Sequence, residues 1–275
     1  LHYPLRRQRQ MCIRDRVHTA GKLTLNEEQE VEIAVSAYEA SLNLQIWKNY
    51  VDEIGVSVIH PGGTAIGPLQ RIQGTQRFQL GETNLLVYYG EPSPYNPYQE
   101  IYLDFIPVGS YIDDGIWKIR LTPIRITDGA FDMWLPAGNV LNSGTGFLNP
   151  VEETTLTIPS TATKVITVGA YDARFDQAAA FSGRGYTRAT NQVKPDLVAP
   201  GVEIMSCAPG GGYQVRTGTS MATPFVTGSA ALLMQWGITD GNDAYLYGEK
   251  MKAYLIRGAR RLPGFTACLL YTSDA

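Results

Sequence analysis

Between residues 23 and 136 apolar and polar positions alternate with a period of two, and β-branched and aromatic residues are enriched. The segments 31–35 (VEIAV), 42–47 (LNLQIW), 54–59 (IGVSVI), 85–89 (LLVYY), 101–105 (IYLDF), 117–121 (WKIRL) and 131–135 (FDMWL) each read as a half-buried strand. Turn formers such as 61–63 (PGG) and 92–94 (PSP) separate them. A helical period is scarcely visible. Short strands in this number, with loops between them, predict an all-β, jelly-roll-like antiparallel sandwich over residues 17–137.

Beyond Pro136 the texture changes. A stretch rich in Gly, Asn, Ser and Pro over 137–150 reads as an interdomain passage. Residues 165–169 (VITVG) form a continuous apolar run of the kind buried on both faces of a parallel sheet, and 197–201 (LVAPG) is a second such strand ending in a turn. Residues 219–237 predict one long helix whose apolar positions go round much of its circumference, hence a buried helix, with Pro224 placed in its first turn. Residues 243–260 predict a second helix packed beneath it. This half, 138–267, is expected to be α/β, a parallel sheet with a buried helix.

The chemistry concentrates in 217–228 (TGTSMATPFVTG), which resembles the nucleophile signature G-T-S-M-A-x-P-x-V-x-G of the subtilisin-like serine peptidases, with every fixed position filled. The resemblance runs from Ile158 to about Pro263 and takes in 165–170 (VITVGA), 181–185 (FSGRG) and 194–201 (KPDLVAPG) in order. It implies a subtilisin-like α/β fold, a peptidase acting through an acyl-enzyme, Ser220 as the catalytic nucleophile, a protein or peptide substrate and no organic cofactor. The physics of the position agrees. A serine at a helix N-terminus sits beside unpaired N–H groups that can hold a developing oxyanion, and its own N–H is a natural donor. Read without its surroundings, the Thr219-Ser220 pair would serve as an N-cap.

A serine hydroxyl needs a histidine base, and that base a carboxylate to orient it. In the family both precede the serine in the order Asp, His, Ser. The histidines are His2, His18 and His60, and none lies in an H-G-T-x-V-A setting or after a D-x-G motif. His60, ahead of Pro61, reads as a solvated loop residue and His18 as linker. The catalytic Asp and His are therefore expected outside this sequence. The nearest imitation of the family's A-G-N-x-G oxyanion turn is 137–139 (AGN), which leaves Asn139 either a donor or a turn residue. Asp196 reads as a carboxylate supporting a turn, Cys207 as a small core residue, and 210–212 (GGG) as a rim beside the cleft. The order of sandwich and nucleophile segment resembles clostridial Csp-type members of the family, in which a jelly-roll is inserted in the catalytic domain.

Charge and cysteines narrow the alternatives. The net charge is -3, with no basic stripe beyond the first sixteen residues, so nucleic acid is not an expected partner. Cys12, Cys207 and Cys268 form no C-x-x-C and stand near no histidine, which gives no metal site and no disulfide framework. No apolar run is long enough to span a bilayer. Residues 1–16 and 268–275 resemble translated adaptor sequence and are set aside as non-native ends, with a natural disordered basic arm as the alternative for the first. The family leans toward secreted, envelope or spore-associated roles. The rival to a peptidase is a noncatalytic protein, either a decayed pseudopeptidase or a carbohydrate-binding sandwich in which Trp47, Trp117 and Trp134 stack on sugars.

Overall fold

A computed structural model describes residues 16–136, 140–156, 158–188 and 190–262. Contacts divide the chain into two units that meet between Glu152 and Glu153.

The first unit is built from β1 (His18–Lys22), β2 (Gln29–Val35), β3 (Leu42–Asn49), β4 (Glu53–Ile59), β5 (Ala65–Ile66), β6 (Thr75–Leu80), β7 (Thr83–Tyr89), β8 (Tyr98–Pro107), β9 (Gly115–Arg125), β10 (Ala130–Trp134) and β11 (Gly146–Phe147). One sheet runs β1-β10-β3-β8-β7-β6 and the other β11-β2-β9-β4-β5, with antiparallel pairing throughout. The alternation in sequence is the reason. In β3, Leu42, Leu44 and Ile46 are buried while Asn43, Gln45 and Trp47 are half-exposed, so each strand contributes every second residue to one shared apolar core. Trp117 is fully buried there, edge-on to Phe105 at 5.1 Å, with its Nε1–H donated to Asp113 O at 2.9 Å. That burial removes it from the proposed sugar-stacking set.

Buried polar groups tie the loops to this core. Asp52 accepts the N–H groups of Thr127, Asp128 and Gly129 at 2.6, 3.0 and 2.8 Å. Burial pushes its carboxyl upward, but these three bonds, helped by Lys48, hold it below the ordinary value. The segment expected to be a passage between units is stitched onto the first one. β11 pairs with β2, Thr145 donates to the buried Glu39 at 2.5 Å, and Val151 N–H reaches His18 O at 2.8 Å. Residues 137–139, including Asn139, lie outside the described residues.

The second unit contains β12 (Val168–Asp172), β13 (Gln177–Ala178), β14 (Gly185–Tyr186), β15 (Val193–Lys194), β16 (Leu197–Pro200), β17 (Ile204–Cys207), β18 (Tyr213–Arg216), helix α1 (Thr219–Met234) with a π-turn at Gln235–Thr239, and helix α2 (Gly248–Gly258). β12 and β16 pair in parallel, Ala170 opposite Ala199, and β13 adds to the other edge of β12. The first strand therefore begins three residues later than its apolar run, and Val165 is exposed. Asp196 accounts for this. Its Oδ2 takes the N–H of Thr167 at 2.7 Å, which commits the residues ahead of β12 to a side-chain clamp instead of a ladder.

Four expectations fail in this unit. Helix α1 is not buried: among its residues only Ala222 is, while Phe225 is 48% and Leu232 69% exposed. A 16-residue helix is about 24 Å long, whereas three strands about 4.8 Å apart cannot cover it. Cys207 is exposed because it lies in β17 on an isolated two-stranded hairpin with β18, whose inner and outer faces both meet solvent. Pro224 falls in the second turn of α1, since the helix starts at Thr219, and the acceptor its missing N–H would have used is the Ser220 carbonyl. The second helix is shorter than expected, Gly248–Gly258.

Candidate active site

Strand β16 and helix α1 are joined by a hairpin that returns the chain to where it left the sheet. β16 ends at Pro200, β17 and β18 run out and back, and Gly218 N–H then bonds Gly201 O at 2.8 Å. The hairpin tip holds Gly210, Gly211 and Gly212 at φ 84°, 103° and 77°, a left-handed run that residues with side chains rarely adopt. Gly218 caps α1 without a side-chain bond. Ser220 is thus the second residue of the helix and exposed, and its N–H is among the first four that have no intrahelical acceptor. Among the described residues its hydroxyl makes no hydrogen bond, so it does not act as the N-cap. An uncommitted hydroxyl and an unpaired N–H donor are presented together at the positive end of the helix dipole.

The landmark residues of the sequence explain how that end is held. Ser182 Oγ accepts Ala170 N–H at 3.0 Å, closing 181–185 over β12. A Cβ on Gly183 or Gly185 would press on the backbone of Thr155 or Thr154, at 2.9 and 2.4 Å, where residues 154–155 cross this loop. Asp196 anchors the far end of the sheet. Lys194 Nζ meets its Oδ2 at 2.8 Å and Lys252 Nζ its Oδ1 at 2.7 Å, while both lysines also donate to Val165 O. Burial, with Lys252 nearby, holds Lys194 below the usual lysine range against the pull of Asp196. Asp196 is therefore spent on structure, as its place in a turn implied.

A further set of residues had no signal in the sequence. Glu203, at φ 54°, donates its N–H to Thr217 Oγ1 at 2.9 Å. Its carboxylate pairs with Arg174, which also grips Asp172 through Nε at 3.0 Å and Nη2 at 2.7 Å. That grip holds the Asp172 carboxyl below its ordinary range. The partners are separated by up to 29 residues, and no local pattern pairs them.

Two histidines, His18 and His60, lie among the described residues. Both belong to the first unit. His18 is not linker but the first residue of β1, 1% exposed, with Nδ1 3.1 Å from Val151 O and Nε2 3.1 Å from Asp132 Oδ1, and its ring stacked on Trp134. His60 lies in the loop after β4, as expected, and is half-buried there. Its Nδ1 accepts Gly62 N–H at 2.9 Å, its Nε2 stands 3.1 Å from Asp113 Oδ2, and its ring meets Trp117 edge-on. Both ring nitrogens of His18 have partners within that unit, whereas His60 Nε2, although close to Asp113, makes no hydrogen bond among the described residues. Among the described residues no cluster of His, Cys, Asp and Glu could hold a metal ion, and no helix is long and apolar enough to cross a membrane.

Comparison with known proteins places the chain. Residues 135–270 match the subtilase family. The chain is 38% identical over 119 residues to the serine protease AprX of Bacillus subtilis (strain 168), a match covering 36% of this chain and 26% of AprX. An intracellular serine protease of Paenibacillus polymyxa is 46% identical over 77 residues, 28% of this chain and 21% of that protein. The solved structure of the CspB protease of Clostridium perfringens superposes with a TM-score of 0.81 at 36% identity, over 92% of this chain and 53% of that one. The chain thus spans about a quarter of the curated relatives it matches and about half of the CspB chain. With a filled nucleophile signature at the entry of α1, a match to the family over its C-terminal half and a CspB-like fold over nearly its whole described length, the chain belongs to the subtilase family.

Proposed function

We propose that Ser220 is the nucleophile of a subtilisin-like serine endopeptidase, attacking a peptide carbonyl to form an acyl-enzyme that water then cleaves. The observation that carries the reading is the position of Ser220: exposed, second in a helix, its hydroxyl uncommitted and its N–H without a helical acceptor. Attack at the carbonyl carbon turns the carbonyl oxygen into an oxyanion, which the N–H at the helix entry stabilises. The serine proton passes to a histidine base, expected outside this chain, and from it to the amine that departs as the C–N bond breaks. In the same reading the first unit is a jelly-roll insertion within the catalytic domain, supported by its two sheets sharing one core and by the likeness to CspB. The second unit is the C-terminal part of that domain, supported by the parallel β12–β16 pair packed under α1.

The test uses a fluorophosphonate probe, which phosphonylates only an activated serine. The 275-residue chain alone is expected to remain unlabelled, since loss of the base from a subtilisin-type triad costs on the order of 10⁶ in turnover. A longer protein that contains this chain together with D-x-G and H-G-T motifs is expected to be labelled, and Ser220→Ala to abolish the label. A longer protein with both motifs that stays unlabelled would sink the peptidase reading in favour of a noncatalytic protein. Strong labelling of the short chain would mean that a base lies within it, and His18→Ala and His60→Ala would identify which.

A further inference from the structure

The turn Gly201–Glu203 touches the nucleophile loop at two points. Gly201 O accepts Gly218 N–H at 2.8 Å, and Glu203 N–H donates to Thr217 Oγ1 at 2.9 Å. The turn has no slack. A Cβ on Gly201 would stand 2.6 Å from Ala170 Cβ and 3.0 Å from Gly218 O, so Gly201 is pressed between β12 and the residue that caps α1. Gly201 N–H is also bonded to Tyr171 O at 3.0 Å. Glu203 is held left-handed at φ 54°, a conformation a residue with a side chain adopts only where its surroundings fix it. Arg174 is one fixing group, bridging the Glu203 carboxylate to Asp172 at the end of β12. The other is the Thr217 hydroxyl, which gives the Glu203 N–H its acceptor.

We propose that Thr217 is a positioning residue for Ser220, its hydroxyl locking the loop 217–218 to the turn that Arg174 ties to β12. The proposal rests on the reading of Ser220 as the nucleophile and adds to it a residue that holds the hydroxyl and the oxyanion-binding N–H in register. Attack on a carbonyl tolerates little displacement, and a shift of about 1 Å at the reacting atoms can cost 10²-fold. Thr217→Val keeps the shape and removes the acceptor, leaving the Glu203 N–H unpaired. Thr217→Ser restores it. Arg174 acts from a half-exposed ion pair, which is worth less than a fixed backbone bond.

Two measurements decide the matter. In the 275-residue chain, amide hydrogen exchange at Gly218 is expected to speed about fivefold in Thr217→Val and return to the wild-type rate in Thr217→Ser. Arg174→Gln is expected to give a smaller change in the same direction. Unchanged exchange at Gly218 in Thr217→Val, or no recovery in Thr217→Ser, overturns the proposal whether or not the protein is a peptidase. In the longer, labelled protein, Thr217→Val is expected to lower kcat about tenfold with KM within twofold, and Thr217→Ser to recover it. A loss of kcat matched by an equal loss of folded protein, read by near-UV circular dichroism, would reduce Thr217 to a fold-stabilising residue and overturn the proposal. If the unmutated longer protein is not labelled, the peptidase reading fails and the exchange result alone judges the clamp.

Discussion

Lys48 carries an ammonium group into a site that is 2% exposed, where it donates to Asp52 O at 2.6 Å and Asn49 O at 3.2 Å. Burial, with some repulsion from Arg71, lowers its pKa from 10.5 to about 8, against the attraction of Asp52 and Glu53. The sign for stability follows. Between pH 8 and 10.5 the unfolded chain keeps a proton that the folded unit has released, so stability rises with pH across that window. Urea unfolding of the first unit at pH 7.5 and pH 9.5 is expected to show a higher midpoint at pH 9.5. A midpoint that falls would mean that Lys48 stays charged in the fold. At the other unit, Gly201→Ala forces a Cβ against Ala170 and is expected to cost roughly 1–3 kcal/mol, read from the thermal midpoint. At this scale the sequence showed Ser220 and its flanking glycines, because the motif is contiguous. It did not show that His18 is buried, that Asp132 and Val151 use both its ring nitrogens, or that Glu203 and Thr217 meet. Each of those depends on residues brought together by the fold over tens of positions.

The strands of the first unit were readable because burial on one face imposes a period of two: six of the seven predicted runs lie within observed strands, and the seventh, 131–135, passes the end of β10 by one residue. β1, β6 and the two-residue strands β5 and β11 escaped notice. β1 opens on His18 and contains Gly21, and β6 alternates with polar residues over an exposed edge, so neither has a clean apolar face. Helix α1 shows the converse difficulty. Its apolar residues are distributed as in a helix covered on every side, yet the strands of its own unit cover one turn of it, and Phe225, Leu232, Met234 and Trp236 remain exposed. Helical period reports what a helix can bury and is silent about what stands against it. Replacing Leu232 and Phe225 together with Gln is expected to leave the unfolding midpoint of the 275-residue chain within about 0.5 kcal/mol of wild type while reducing its light scattering. A loss of several kcal/mol would show that these side chains are packed in solution.

The two units differ in how much apolar surface each removes from water. The first holds a core of twenty-six buried apolar residues, Trp117, Phe105, Phe131 and Phe147 among them. The second holds a cluster of Ala170, Ala179, Ala199 and Ala222, with Val168, Phe181, Val202 and Val226 half-buried around it, and apart from the cluster only Leu197, Leu246, Met251 and Leu262 as larger buried apolar side chains among the described residues. The boundary at Glu152/Glu153 follows from this contrast more than from the glycine and serine texture of residues 137–150, which the first unit claims through β11. So small a core has a consequence for heat capacity. The heat-capacity increment of unfolding grows with the apolar area exposed, so the second unit unfolds with a small increment and a shallow stability curve, and the first with a large increment and a strongly bowed one. Scanning calorimetry of the chain is expected to resolve a broad, low-enthalpy transition with a small baseline step, followed at higher temperature by a sharp one that carries most of it.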